Sequence, residues 1–593
     1  MKKKSALVFT GIIKTWFQNC KNILVSESCI VKNFDNKKYK SFDVEISKKE
    51  VNEDIIKDSK ICNFYYNRLL NDAILNLKDI YQVDWNKRSW ELFLGPWIHR
   101  YISTIQNRYN LLSYALKKYK IDKIKVANDK DFNLLSQDQA QFRLITQSDE
   151  WNLKLFTKLY LRYFHNNKTQ IYKVKISKEK YNLINSSFKE LNFKSSIYRK
   201  ILRYFLKIFK NFNQQIFYRT YFGSKKFLIL LSLINKNIPF IYEFNFKIPD
   251  SKFIHQKRKT KFHTKYKIDK FERILRELFF EFLPFFYLEK FNFIKTCSQK
   301  LILPSTRKRK IYTAGGLWYD DIFKFWLASS ISNQSKLFYF QHGCNYGTTK
   351  YSYAEDLEIK LSDNFYTWGW KNSAKKTKRF FSNKLIEKKK FKPIDTKKFL
   401  VIGTCPLIFK SGLTSGIMYG RKSRIYINST IELLKDLSSK LKFKTFFRPF
   451  PIHNYNKQIE TLNLQNYVEK NLSKIKINNP KLNFIKILNE FELAIHTFDG
   501  TSFLETMALN KPSLLIMPKE CLHHRKSVDY YYKRLKDAKI LHTNKNSIIK
   551  FLNETNINQW WKKNNTQSIK DEFCKEFCYL EKNPIKEFIK KAL

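Results

Sequence analysis

Short apolar runs alternate along this chain with segments whose hydrophobic residues recur every three to four positions, a pattern that predicts strands separated by helices. The clearest unit is ELAIHTFDGTSFLETMALNKPSLLIM at 492–517. It predicts a buried strand at 492–496, a turn at 498–502, a helix at 503–509 and a second strand at 513–517. Upstream, 310–313, 337–340 and 363–368 read as strands and 319–331 as a helix. KKFLVIGTCP opens another strand, followed by a helix at 425–441 and a strand within KTFFRPFP at 444–451. Near the start, 6–10 and 124–127 are predicted strands, and RSWELFLGPWIHRYISTIQNRYNLLSYALKKYK at 88–120 is amphipathic helix. Strand, helix and strand in that order specify an α/β fold with parallel sheets.

At 593 residues the chain exceeds one hydrophobic core. Residues 1–130 form the N-terminal α/β part of a first half. Residues 131–304 read as a helical, aromatic and basic insertion on the acceptor or membrane side. Residues 305–393 complete the first Rossmann-like domain and end in a charged hinge, KKTKRFFSNKLIEKKKFKP at 375–393. Residues 394–593 form a second Rossmann-like domain with terminal helices. Two doubly wound domains facing a cleft are therefore expected. Within the insertion, 271–294 carries large apolar residues at helical spacing, which predicts a helix packed on a core, with a membrane-surface helix as the alternative. HQKRKTKFHTKYK at 255–267 reads as a solvated loop, with contact to lipid headgroups or a pyrophosphate as the alternative.

Composition narrows the partners. Lys and Arg number 112 against 52 Asp and Glu, a formal net charge of +60 that draws the chain to polyanions. The basic residues are dispersed, and Lys, Asn, Ile, Phe and Tyr are abundant together, as AT-rich coding produces. Most of the excess charge therefore reads as compositional. No zinc finger or RNA-binding motif accompanies it, so nucleic acid is not an expected partner. Nine cysteines lack any CxxC pair, which argues against a zinc or disulfide framework and fits a reducing cytosol. The start, MKKKSALVFTGIIK, imitates a signal peptide, but Lys14 interrupts its apolar run and no cleavage site follows. No stretch approaches the 18 apolar residues of a spanning helix.

In open α/β sheets, ligands sit beyond the carboxyl ends of strands, which singles out three loops. In the first, Gly500 admits close backbone approach, Thr501 and Ser502 donate hydroxyls, and the following helix offers free N–H groups to a phosphate. Asp499 lies in the same bend, and Glu505, one turn on, can accept from a ribose. Alternatively, Thr501 caps the helix with Glu505 in support. The second loop, QHGCNYGT, begins where Gln341, His342 and Gly343 end a strand. His342 can act as general base or, protonated, hold a phosphate, and a structural histidine on the turn is the other reading. Gly343 and Gly347 shape the loop. Glu355, Asp356 and Glu358 follow, and Glu355 can take a proton from a hydroxyl unless these residues form only a solvated acidic turn. In the third loop, Arg448 is held extended by Pro449 and aimed outward at a phosphate, with a surface ion pair as the alternative. His453 neighbours it. Asp320 and Asp321 read as charges at a helix start.

These segments resemble the transferases encoded in bacterial surface-polysaccharide and lipopolysaccharide loci. The resemblance is carried by RSWELFLGPWIHRYISTIQNRY, SDEWN, LPFFYLEKF, DDIFKFWLA, QHGCNYGT, DNFYTWGW, FRPFP, HTFDGTSFLETMALNKPSLLI and NINQWW in that order. It departs at 23–30, ILVSESCI, where members carry a Trp and Cys motif, and at Cys344, where Gly is more usual. It implies a GT-B-like fold and transfer of a sugar from a nucleotide-activated donor to a lipid-linked surface glycan. The cysteine usage makes a cytoplasmic location the expectation, and the excess of basic residues adds peripheral contact with the anionic face of the inner membrane. More distantly, the C-terminal half is similar to GT-B enzymes that use CMP-linked acidic sugars and to teichoic acid glycerophosphotransferases. Thr501 and Ser502 match the hydroxyl pair those enzymes set against the donor phosphate, and Arg448 with Pro449 matches their basic motif loosely. The usual His-Pro pair is absent. On this reading Arg448, Asp499, Gly500, Thr501, Ser502 and Glu505 hold the donor while His342 and Glu355 serve the acceptor hydroxyl. Basic side chains and a helix end stabilise the leaving phosphate, so no metal or other cofactor is expected. Alditol-phosphate transfer and a non-catalytic basic protein that binds membrane or nucleic acid are the rival readings.

Overall fold

The computed structural model describes residues 3–32, 37–48, 55–128, 134–175, 215–234, 256–259, 262–301, 305–451, 462 and 464–593. Three parallel sheets organise them. The first is built from β1 (Ser5–Val8), β2 (Lys21–Ser26), β3 (Val44–Lys48), β4 (Lys123–Ala127) and β5 (Gln170–Val174), in the order β3-β2-β1-β4-β5. The second contains β6 (Gln215–Tyr218), β7 (Lys310–Thr313), β8 (Lys336–Phe340), β9 (Asn364–Thr367) and β10 (Thr377–Arg379), stacked in sequence order. The third contains β11 (Lys398–Ile402), β12 (Lys444–Arg448), β13 (Lys476–Ile477), β14 (Leu493–His496), β15 (Ser513–Ile516) and β16 (Leu541–His542). Its order, β13-β12-β11-β14-β15-β16, is that of the doubly wound nucleotide-binding fold, with a reversal beside β11. Central strands are mostly apolar, as parallel strands covered on both faces must be, and every residue of β14 is buried. The protein is thus α/β, with doubly wound first and third sheets.

The strands of 1–130 and 305–393 do not share a sheet. Residues 1–130 build a sheet of their own, closed by β5, and β6 opens the second one, so the stretch read as a helical insertion supplies an edge strand to each. The 32-residue helix Lys87–Lys118 explains the separation. Trp90, Phe93, Leu94, Trp97, Ile98 and Tyr101 are all buried on it, because it packs on β2 and β3 on one side and on the helix Asp321–Ser332 on the other. A helix apolar around most of its circumference needs cover on several sides, and the first sheet together with the helices Ile55–Tyr81 and Asp321–Ser332 provides it.

Two other segments differ from expectation. The stretch 375–393 is folded for much of its length: β10 forms the edge of the second sheet, and Phe380, Phe381, Leu385 and Ile386 are buried. Phe380 packs edge-on to Phe588 of the C-terminal helix Pro584–Ala592, which returns to cover the second sheet. In the supposed solvated loop, Arg258 pairs with the buried Glu289 and donates to the carbonyls of Phe280 and Leu283. The helix Lys270–Phe282 buries Ile274, Leu275, Leu278, Phe279 and Phe282 completely, so its apolar stripe is spent on the core, not on lipid. No described helix is long and apolar enough to cross a membrane.

Candidate functional site

The carboxyl ends of β8, β11, β12 and β14 converge on a cavity of about 310 Å³. His342 and Tyr346 reach it from the loop after β8, Thr404 to Leu407 from the loop after β11, Phe450 from the loop after β12 and Phe498 from the bend after β14. Arg100 contributes from the helix Lys87–Lys118 and Arg143 from the helix Gln139–Ile145. No carboxylate is among its described lining residues, so its field is positive.

The loop after β8 is held rigidly. Gln341 accepts from the Trp368 backbone N–H and the Trp370 indole, both at 2.8 Å, and its amide donates to the Gly343 carbonyl. Gly347 has φ +72°, and a Cβ there would lie 2.5 Å from the Trp370 ring, so both backbone angle and space require glycine. At Gly343 the demand is space alone: a Cβ would stand 2.8 Å from the Thr501 hydroxyl. That hydroxyl accepts from the Cys344 N–H at 3.1 Å. The bend near residue 500 therefore abuts the His342 loop, and Thr501 ties the second and third sheets together.

Thr501 is not a cap. Gly500 occupies the N-cap position of the helix Thr501–Ala508, and no side chain caps that helix. Its Ser502 hydroxyl pairs with His496, Glu505 with Lys384 at 3.5 Å, and Asp499 accepts from His524 at 3.0 Å and from Tyr532. Of the whole bend only Phe498 lines the cavity. Asp499, His523 and His524 each bring one potential metal-ligand atom within 4.8 Å of the others, a gathering not visible from their spacing in sequence.

His342 keeps about a quarter of its side chain exposed. Burial of the rest, with the positive charges of Lys384 and Arg143, pushes its pKa down to about 4. The imidazole is therefore neutral near pH 7, which excludes the protonated phosphate-holding role in the free protein. Its Nδ1 is hydrogen-bonded to the Tyr346 hydroxyl at 3.0 Å, and that hydroxyl donates to Glu358 at 3.1 Å. Glu358 is fully buried, accepts from the Trp318 indole at 2.5 Å, and is pushed well above the usual carboxylate range by burial.

Two expected site residues are engaged elsewhere. Glu355 accepts from the Gly347 N–H at 2.7 Å and from Arg525 at 3.0 Å, so it braces the loop and does not line the cavity. Arg448 does not point outward: it donates to Asn478 Oδ1 and to the carbonyls of Asn479, Pro480 and Leu482, stitching the segment after β13. Its strand-end position is as expected, but a buried guanidinium must saturate its donors, and the chain supplies the acceptors. His453 lies outside the described residues. Asp320 does start a helix, accepting from the Phe323 N–H. Arg100, Arg143 and Thr404 to Leu407 were not singled out. The GTCP after the apolar run FLVI was the available signal for the last group, whereas nothing local marks the arginines.

The model of the LIC12162 family transferases matches residues 5–592. The chain belongs to that family. This LIC12162 family transferase matches no curated protein at a significant level. Among solved structures it is similar to Anabaena Alr3699/HepE in complex with UDP, at 11% identity over 61% of this chain and 95% of that one, with a TM-score of 0.29. A superposition that weak bears on neither fold nor ligand.

Proposed function

We propose that this transferase moves a sugar from a nucleotide-activated donor to a lipid-linked surface glycan. The observation that carries the reading is the positive cavity at the convergent carboxyl ends of β8, β11, β12 and β14, lined by Arg100, Arg143 and a neutral His342. The edge of the third sheet, with Thr404, Cys405, Phe450 and Phe498, suits a nucleotide, whose phosphates then face the two guanidinium groups. His342 takes the proton of the acceptor hydroxyl. Its Nδ1 contact to Tyr346, backed by Glu358, holds the ring in place. A bound diphosphate adds negative charge beside the imidazole and raises its pKa, so the base strengthens when the donor arrives. Thr501 acts as a positioning residue through Cys344, and Glu355 through Gly347. The basic surface favours peripheral association with an anionic cytoplasmic membrane face, at about 1 kcal/mol for each basic side chain close to the headgroups.

The test is a thermal-shift screen of UDP-, GDP-, CMP- and TDP-linked sugars, followed by product mass analysis. Stabilisation by one donor class and a product heavier by one sugar residue support the reading. A product heavier by an alditol phosphate replaces sugar transfer with the rival chemistry, and indifference to every nucleotide removes both.

A further inference from the structure

We infer that Asp499, His523 and His524 form a site for a divalent transition-metal ion that locks the bend after β14 to the seam between the second and third sheets. Their ligand atoms lie within 4.8 Å of one another. Ligands on a tetrahedral ion with bonds of about 2.0 Å stand roughly 3.3 Å apart, so modest side-chain rotation closes the set. His523 carries the strongest sign. Its Nδ1 is engaged by the Cys521 carbonyl at 3.1 Å, which fixes the proton there, while its Nε2 is buried without any hydrogen-bond partner. A ring with one nitrogen donating to a backbone carbonyl and the other bare is the arrangement in which histidine ligates metals. The residue is only 4% exposed, and an orphaned buried nitrogen costs stability unless something fills it. His524 Nε2 lies 3.0 Å from Asp499 Oδ2, and Tyr532 adds its hydroxyl to the same carboxylate. Two imidazoles and one carboxylate favour zinc or cobalt over magnesium or calcium, which prefer all-oxygen shells.

The location gives the ion its role. The main chain at 523–525 pairs with 348–350: the Lys350 N–H donates to the His523 carbonyl at 2.8 Å, and the Arg525 N–H to the Thr348 carbonyl at 2.9 Å. Thr349 and His524 form an isolated antiparallel bridge. An ion held by Asp499 and this seam would fix Phe498 at the cavity wall and Thr501 against the His342 loop. Asp499 is thereby reassigned from gripping donor to holding metal, and the ion is structural, outside the reacting atoms.

The experiment uses the untagged full chain, stripped with chelator and titrated with Zn²⁺ or Co²⁺ in the absence of any nucleotide, so its outcome is independent of the transfer reading. Elemental analysis after dialysis should give one equivalent of Zn²⁺, with a raised melting temperature and d–d absorption for the Co²⁺ form. His523→Ala should weaken binding at least tenfold while circular dichroism stays unchanged. If that variant misfolds, His523→Gln, which keeps the volume, reports instead. Substoichiometric Zn²⁺ uptake by the wild type, or uptake equal in wild type and the folded variant, would leave Asp499 and His524 as a plain ion pair and overturn the site.

Discussion

His342 concentrates the chemistry of single residues. Burial and the nearby cations lower its pKa to about 4, below the ordinary 6.5, so in the free protein it stays unprotonated until pH falls near 4. The acid limb of kcat/KM, which reports free enzyme, is therefore expected near pH 4. The limb of kcat should lie at higher pH, because donor phosphate favours the imidazolium. Coincident limbs near 6.5 would remove His342 as the titrating group. His342→Ala should cut kcat about a hundredfold or more with little change in donor affinity. Arg143→Gln should do the converse, weakening nucleotide binding roughly tenfold in calorimetry with kcat preserved.

At the level of elements, the contact between the loop after β8 and the helix Thr501–Ala508 decides whether the second and third sheets stay in register. Thr501→Val keeps the shape but leaves the Cys344 N–H without its acceptor, at a cost of about 1 kcal/mol in urea unfolding. Gly343→Ala pushes a methyl to within 2.8 Å of that hydroxyl and should cost about 1–3 kcal/mol, with a larger fall in activity than the valine variant. Equal stability of Gly343→Ala and wild type would mean that the loop relaxes freely and that the contact positions nothing. The helices and strands flanking this contact follow the sequence pattern closely: β7 spans the predicted 310–313, and β15 begins at the predicted residue 513. The contact does not follow from it, because residues 344 and 501 share no periodicity.

For the whole molecule, burial of neutral histidines sets the response to acid. His99 is 5% exposed, stacks on Tyr353 with ring centroids 4.3 Å apart, and is pushed down to about 3 by burial and by Arg100. The unfolded chain takes up this proton near 6.5 and the folded one does not. The contribution to stability is therefore complete above pH 6.5 and is lost as pH falls toward 3. His99→Phe retains the stack and removes one such group, so the slope of unfolding free energy against pH between 4.5 and 6 should become shallower by up to one proton. An unchanged slope would show that His99 titrates alike in both states. The charge of +60 predicts binding to vesicles containing phosphatidylglycerol but not to pure phosphatidylcholine, reversed by salt in a flotation assay.

The sequence by itself determined the α/β class, the order of most strands and the placing of His342 and the bend near residue 500 at strand ends, because period-2 and period-3.6 patterns are local and strand ends inherit them. It misplaced the partition of the first half, since β5 and β6 are short edge strands whose partners lie across other elements. Only the tertiary structure decided which polar groups remain available. Arg448 and Glu355 sit where expected, yet buried donors and acceptors must be satisfied, and neighbours distant in sequence, Asn478 and Arg525, claimed them. Packing of the three sheets also brought Arg100 and Arg143 to the cavity and set His523 beside Asp499, arrangements that no single stretch of chain encodes.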